Sequence, residues 1–395
     1  MFLYKASVAT DNNWVIDSDI LPVNTYRRSY PIKGRASTIT NNIFLPVTMT
    51  NELILLTGAT GFLGHRILVL ALQAGYRVRC AVRSAKGIDK ILATESVKKL
   101  GALTRKLSWI IVPDITAPGA YDEAVIDVQY ILHVASPVGD IRTWGDSSTL
   151  SDEEIFVKPA VSGVIGMLES APAHSPTLKR IVVTSSVVAI FPTKYFMGEA
   201  PPQDHVFDAS SRLEDPTPPY PPGFAYQASK IAALNASEAW MKKHNPKFDM
   251  ISCLPAWIFG TNEFATKADD LMGGSNSTLL NVLKGTESKV PVNSAVVSVH
   301  DCAQAHLLAL NPSVAGDQAF IAGQLERLED ANDIARKHFP EAFTKGVFSD
   351  TCRQATTRIP QNNETAESVL GLKLQSFEDV VKEVAGQYWE LSQKI

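Results

Sequence analysis

Residues 53–64 constrain this chain more than any other stretch. Leu53–Thr57 is a short apolar run suited to a buried strand, and it leads straight into Thr57-Gly58-Ala59-Thr60-Gly61-Phe62-Leu63-Gly64. From Phe62 to Ala74 the apolar residues recur at helical spacing, and the pattern stops at Gly75. Strand, glycine turn and helix in that order make a dinucleotide site, because the helix N-terminus offers free amides and a positive dipole end to a pyrophosphate. Gly58 permits the tight turn, Gly61 lets the backbone approach the phosphates, and Gly64 lets the helix pack on the sheet. Thr60, Phe62 and Leu63 fall between them and belong to the same site.

The rest of the chain agrees with such a unit. Val78, Cys80 and Val82 alternate with Arg77, Arg79 and Ala81, which is a strand signature. Leu107–Val112, Tyr130–Ala135, Arg180–Thr184 and Met250–Leu254 read as further strands, with helices over Glu153–Ser170 and Tyr226–Lys243. This alternation predicts an α/β fold of the Rossmann type: a doubly wound parallel sheet covered by helices on both faces. The expected division is an N-terminal extension over 1–48, disordered and without a signal-peptide core, a cofactor-binding domain over 49–261, and a smaller substrate lobe over 262–395 with returns to the main sheet. Pro192–Gly223, with eight prolines, must be an irregular excursion.

Bulk properties exclude several classes. The 395 residues are 45% hydrophobic and 20% charged, with a net charge of −4, so no basic excess points to nucleic acid. The most apolar stretch, Leu53–Leu72, holds three glycines, His65 and Arg66, so it reads as strand plus helix, and a soluble protein with no membrane partner is expected. Cys80, Cys253, Cys302 and Cys352 are scattered without a CxxC pair, which favours neither disulfides nor a metal site and suits a reducing, cytoplasmic setting.

Arg83 stands 19 positions after Gly64, at the end of the second strand, where NAD sites place an acidic residue on the ribose 2′-hydroxyl. No Asp or Glu lies between Cys80 and Ile88, so Arg83, assisted by Lys90, is expected to pair with the 2′-phosphate of NADP(H). Asp114, beside Ile115, can accept from the adenine amino group or cap a turn. Tyr226-Gln227-Ala228-Ser229-Lys230 places a phenol and an ammonium one helical turn apart on one face. The ammonium should draw the phenol from its ordinary pKa of roughly 10 toward neutrality, making it a usable proton donor. Ser185 and Ser186 end the preceding strand at the ligand-binding edge of the sheet, and Ser186 is the favoured partner for a substrate carbonyl.

Taken together, these motifs resemble the extended short-chain dehydrogenase/reductase family. They comprise the glycine turn, Arg83, Asp114-Ile115-Thr116, His133-Val134-Ala135-Ser136-Pro137, Thr184-Ser185-Ser186, the Tyr226 and Lys230 pair, Leu254-Pro255-Ala256-Trp257-Ile258-Phe259-Gly260, and Val299-His300-Asp301-Cys302-Ala303. The chain is most similar to the dihydroflavonol reductase-like branch with its fungal aldehyde and ketone reductases. The resemblance implies that Ser186 polarises the carbonyl, Tyr226 donates the proton, and Lys230 bonds the nicotinamide ribose. It also places Ala135 and Ser136 near that ribose and Pro255 against the nicotinamide. Cinnamoyl-CoA reductases carry N-W-Y-C-Y-G-K around the catalytic tyrosine, where this chain has Gly223-Phe224-Ala225-Tyr226-Gln227-Ala228-Ser229-Lys230, and the plant E-x-x-W element is missing, so neither a CoA thioester nor a flavonoid is expected.

The resulting expectation is an NADPH-dependent reductase of a small-molecule aldehyde or ketone in secondary metabolism, acting as a monomer or homodimer. Met197, Phe207, Trp257 and Phe264 are candidate pocket residues. An NAD-retaining epimerase or dehydratase, a hydroxysteroid dehydrogenase and a non-catalytic cofactor sensor are the rivals.

Overall fold

Leu53–Thr57 forms strand β1, buried along its whole length, as a strand covered on both faces must be. In this computed structural model the described residues are 51–136, 151–202, 204–286, 291–352 and 354–394; the 1–48 extension and Pro137 lie outside them. Six more strands join β1 in a parallel sheet: β2 (Arg77–Val82), β3 (Leu107–Ile111), β4 (Tyr130–His133), β5 (Arg180–Thr184), β6 (Asp249–Pro255) and, after three shorter strand segments are counted in chain order, β10 (Gln318–Ala322). The spatial order is β10-β6-β5-β4-β1-β2-β3. From β1 the chain winds outward to β3 and then returns to β4 on the other flank of β1, which opens a crevice beyond the carboxyl ends of β1 and β4.

The twofold period of β1 divides the core. Ile54 and Leu56 join Ile67, Leu68 and Leu72 of the helix Phe62–Gln73 and Cys302 and Ala303 of the helix Val299–Leu308. Leu53 and Leu55 point the other way, toward Met167 and Leu168 of the helix Lys158–His174, with Ala233 and Trp240 of the helix Ala225–His244 packed behind them.

Around and beyond residue 262, weak periodicity in the sequence hides several short elements. β7 (Trp257–Phe259), β9 (Ala295–Ser298) and β11 (Gln324–Leu325) form a three-stranded sheet, while β8 (Val292–Asn293) pairs with β12 (Thr356–Thr357). A second apolar cluster gathers around Phe259, Leu280, Phe348, Val381 and Tyr388. The same segment also supplies β10 and the Val299–Leu308 helix to the main sheet. The proline-rich excursion is pinned by packing: Phe191, Tyr195 and Phe207 are buried together, and Phe207 bridges to Gln361. No helix among the described residues is long and apolar enough to cross a membrane.

Candidate active site

Thr57 closes β1 and ties the glycine turn to β4. Its Oγ1 accepts from the amides of Val134 (3.1 Å) and Ala135 (3.0 Å) and lies 3.1 Å from His133 Nδ1. With both lone pairs taken, the hydroxyl proton can only go to Nδ1, which makes His133 a neutral ring protonated on Nε2. Burial agrees, pulling the His133 pKa down to about 4, with the Lys230 charge acting in the same direction. Replacing Thr57 by Val should leave two partly buried amides without an acceptor and cost about 2 kcal/mol, read as a lower urea midpoint at unchanged slope.

Two of the three glycines are sterically obligatory. Gly58 has φ of +77°, and a Cβ there would stand 2.9 Å from the Ala135 nitrogen. At Gly64 a Cβ would stand 2.2 Å from the Gly58 carbonyl oxygen. The sequence assigns Gly64 to helix-on-sheet packing; in the structure its close neighbour is the turn itself, because the helix starts directly above it. Gly61 is less crowded, 3.3 Å from the same oxygen, and its amide closes the turn on Gly58 at 2.9 Å.

Every residue that the sequence assigns to cofactor or chemistry lines one cleft of about 1480 Å³. That exceeds the usual small-ligand pocket of roughly 300–1,000 Å³ and suits a dinucleotide with a substrate beside it. At one end stand Arg83, Lys86 and Lys90 with Asp114, Ile115 and Thr116. Arg83 is exposed on the rim. Lys90 is less free than its spacing suggests: its ammonium donates to the Thr60 carbonyl at 3.0 Å and sits 4.0 Å from the Phe264 ring centroid, and burial lowers its pKa. Lys86, passed over in the sequence, faces the same end. Asp114 accepts from the Thr116 hydroxyl (2.7 Å) and amide (2.8 Å), bonds that hold its carboxyl below the ordinary range. It therefore builds the turn as well as lining the cleft.

At the other end Ser186, Tyr226 and Lys230 converge. Ser186 Oγ accepts from the Val188 amide (3.3 Å), donates to the Pro255 carbonyl (3.4 Å) and shares a hydrogen bond with the Tyr226 phenol. Lys230 is buried, donates to the Thr184 carbonyl at 3.2 Å, and lies 5.8 Å from the Tyr226 ring centroid. Burial lowers its pKa to about 8. The Tyr226 phenol moves opposite to the sequence-based expectation. Burial pushes it up to about 12, and the Ser186 hydrogen bond offsets only part of that. Ser185 is a different kind of serine, with a buried Oγ that has no hydrogen-bond partner among the described residues; the Tyr121 hydroxyl, also on the cleft wall, is in the same condition. Orphaned polar atoms beside a glycine cradle that a Cβ would fill fit a polar, phosphate-bearing cofactor.

The apolar lining differs from the sequence-based list. Trp257 lines the cleft together with Phe196 and Phe224. Met197 is 58% exposed. Phe207 packs on Phe191 (5.4 Å between ring centroids) and His205 (4.5 Å), so its role is to brace the excursion. Phe264 sits on His65 and Lys90 behind the glycine turn. Gln227 fixes the wall from beneath, donating to the Val188 (3.0 Å) and Phe191 (2.7 Å) carbonyls. The scattered cysteines hid one cluster: Cys253, Cys302 and His306 bring their donor atoms within 4.8 Å of one another, fully buried. The i, i+4 spacing of Cys302 and His306 on one helix was the available signal.

The sequence profile of the NAD dependent epimerase/dehydratase family matches residues 54–323. Ketoreductase CTB6 of Cercospora nicotianae is 36% identical over 357 residues, covering 88% of this chain and 97% of that protein. The NAD-dependent epimerase/dehydratase ALT6 of Alternaria alternata is 33% identical, covering 85% of this chain and 97% of its own. Among solved structures, yeast methylglyoxal/isovaleraldehyde reductase Gre2 complexed with NADPH shares the fold at a TM-score of 0.69 and 24% identity, over 87% of this chain and 100% of that one. With most of the chain inside the profile and curated relatives matched nearly end to end, this protein belongs to the NAD dependent epimerase/dehydratase family, within the extended short-chain dehydrogenases/reductases, and is an oxidoreductase.

Proposed function

We propose that the protein reduces an aldehyde or ketone to the alcohol with NADPH as hydride donor. The observation that carries this reading is the convergence of Ser186, Tyr226 and Lys230 across one cleft from the glycine turn. The bound nicotinamide would supply the hydride. Ser186 Oγ then holds the substrate carbonyl oxygen, and the Tyr226 hydroxyl delivers the proton to it. A phenol with its pKa near 12 is fully protonated at neutral pH, the form that reduction consumes and alcohol oxidation lacks. Lys230, largely charged at pH 7, bonds the nicotinamide ribose, with Ala135 and Ser136 alongside and Pro255 behind the ring. Asp114 and Ile115 flank the adenine end.

The names of the relatives support the carbonyl reading, one being a ketoreductase and another a methylglyoxal/isovaleraldehyde reductase crystallised with NADPH. Among the described residues at the substrate end, Val188, Phe196, Phe224, Trp257, Asn276 and Asn293 are uncharged, which favours a neutral carbonyl compound of the sort found in secondary metabolism. Residues 49–261 would hold the cofactor, while Asn276 and Asn293 bring 262–395 to the substrate.

The test is to mix purified protein with NADPH or NADH and a panel of neutral aldehydes and ketones and follow loss of reduced cofactor. Oxidation of NADPH supports the reading. No turnover with any carbonyl, together with tightly co-purifying NAD, would favour an epimerase or dehydratase. Arg83→Asp should weaken NADPH binding by about 30-fold and leave NADH within about threefold, measured by fluorescence titration. Equal losses for both cofactors would remove Arg83 from the 2′-phosphate.

A further inference from the structure

A buried line of hydrogen bonds runs behind the catalytic end of β5. Thr184, its last residue, does two things: its carbonyl accepts from Lys230 Nζ at 3.2 Å, and its Oγ1 lies 2.8 Å from His306 Nε2. His306 sits on the Val299–Leu308 helix, on the opposite face of the sheet from the helix that carries Lys230. Its Nδ1 lies 2.7 Å from the Cys302 carbonyl one turn earlier. A carbonyl can only accept, so Nδ1 bears the proton, and in the neutral ring Nε2 is a bare acceptor for the Thr184 hydroxyl. The ring is fully buried and clamped at both nitrogens.

We propose that His306 is a positioning residue: through the Thr184 hydroxyl it fixes the end of β5, and with it the carbonyl that holds the Lys230 ammonium. A side chain beneath the sheet thereby governs a lysine above it. Two further groups face His306, the Cys253 thiol of β6 and the Cys302 thiol of its own helix. Burial lowers the His306 pKa, and the adjacent Cys253 sulfur more than offsets this, for a net upward shift. Lys230 is faced by Tyr226 on its own helix, Thr184 on β5 and His133 on β4. A carbonyl acceptor favours the charged ammonium, so loosening that carbonyl should lower the Lys230 pKa further below its ordinary value. The inference rests on the proposed role of Lys230 toward the cofactor ribose.

NADPH affinity, titrated between about pH 6 and 10 on the full-length protein, reads this out without turnover. In the wild type, affinity should fall as pH rises through about 8, where Lys230 loses its charge. Thr184→Val keeps the backbone carbonyl and the side-chain volume but loses the hydroxyl. It should move that break about one pH unit toward acid and weaken binding at the alkaline end by about fivefold to tenfold. His306→Leu should match it, and His306→Gln, whose amide oxygen can replace Nε2, should recover part of the loss. The Thr184→Val/His306→Leu double variant should be no worse than either single one, because both break the same link. A wild-type break in Thr184→Val, or losses that multiply in the double variant, would overturn the proposal. So would about one equivalent of zinc or copper in the purified protein, since Nε2 would then be a metal ligand. Wild-type protein that shows this pH dependence yet turns over no carbonyl would remove the proposed reaction and leave this inference standing.

Discussion

Replacing Tyr226 by Phe is expected to lower kcat for carbonyl reduction by about a thousandfold while leaving the NADPH dissociation constant within about twofold. The substitution removes one oxygen from a half-buried ring and leaves the ring packing in place. The lost group is the one proton donor beside the Ser186 hydroxyl, and no other described side chain at that end of the cleft can take over near neutral pH. Lys230 is close, but its ammonium is directed at the Thr184 carbonyl. A rate loss without a binding loss is the signature of an interaction made in the transition state. Undiminished turnover in the variant would refute the assigned role, and a parallel loss of NADPH affinity would mark Tyr226 as a binding residue instead.

Gly64→Ala should have an effect of similar size by a different route. The added methyl would stand 2.2 Å from a backbone oxygen, and that oxygen belongs to Gly58, whose φ of +77° leaves little room to yield. Relief requires the turn and the start of the Phe62–Gln73 helix to separate by about 1 Å, at a cost of roughly 2–3 kcal/mol. The amides aimed at the pyrophosphate move with it, so NADPH affinity should fall by about a hundredfold or more. Gly61→Ala, with its Cβ at 3.3 Å, is the internal comparison and should be clearly milder in apo stability. Equal destabilisation of the two variants would show that the crowding at Gly64 does not control the turn.

What the sequence revealed and what it hid follow one physical rule. Elements with a strict period were legible: β1, the helix after it, β5, β6 and the Tyr226 helix all form within a residue or two of where the pattern puts them. The Tyr226 and Lys230 pair was legible because i, i+4 on a helix is a geometric statement needing no tertiary knowledge. Thr57 and His133 were not, since they meet only when β1 pairs with β4. Thr184 and His306 are separated by 122 positions and meet through the sheet. The Tyr226 proton affinity was misjudged because the pair was considered without its burial, and burial outweighs a lysine whose charge is spent on a carbonyl.

The place of β10 at the edge of the main sheet has a consequence for how the chain must be handled. β6 ends at residue 255 and finds its outer neighbour only at 318, after two strands of the small sheet and two α-helices have intervened. A chain cut after residue 261 would expose the full hydrogen-bonding edge of β6 and strip the Val299–Leu308 helix from the apolar face beneath it. Such an edge is a template for aggregation, so the truncated cofactor half should precipitate rather than survive as a miniature binding protein. The late closure of β10 also raises the contact order of the sheet, making its completion a slow event that depends on the C-terminal third having emerged.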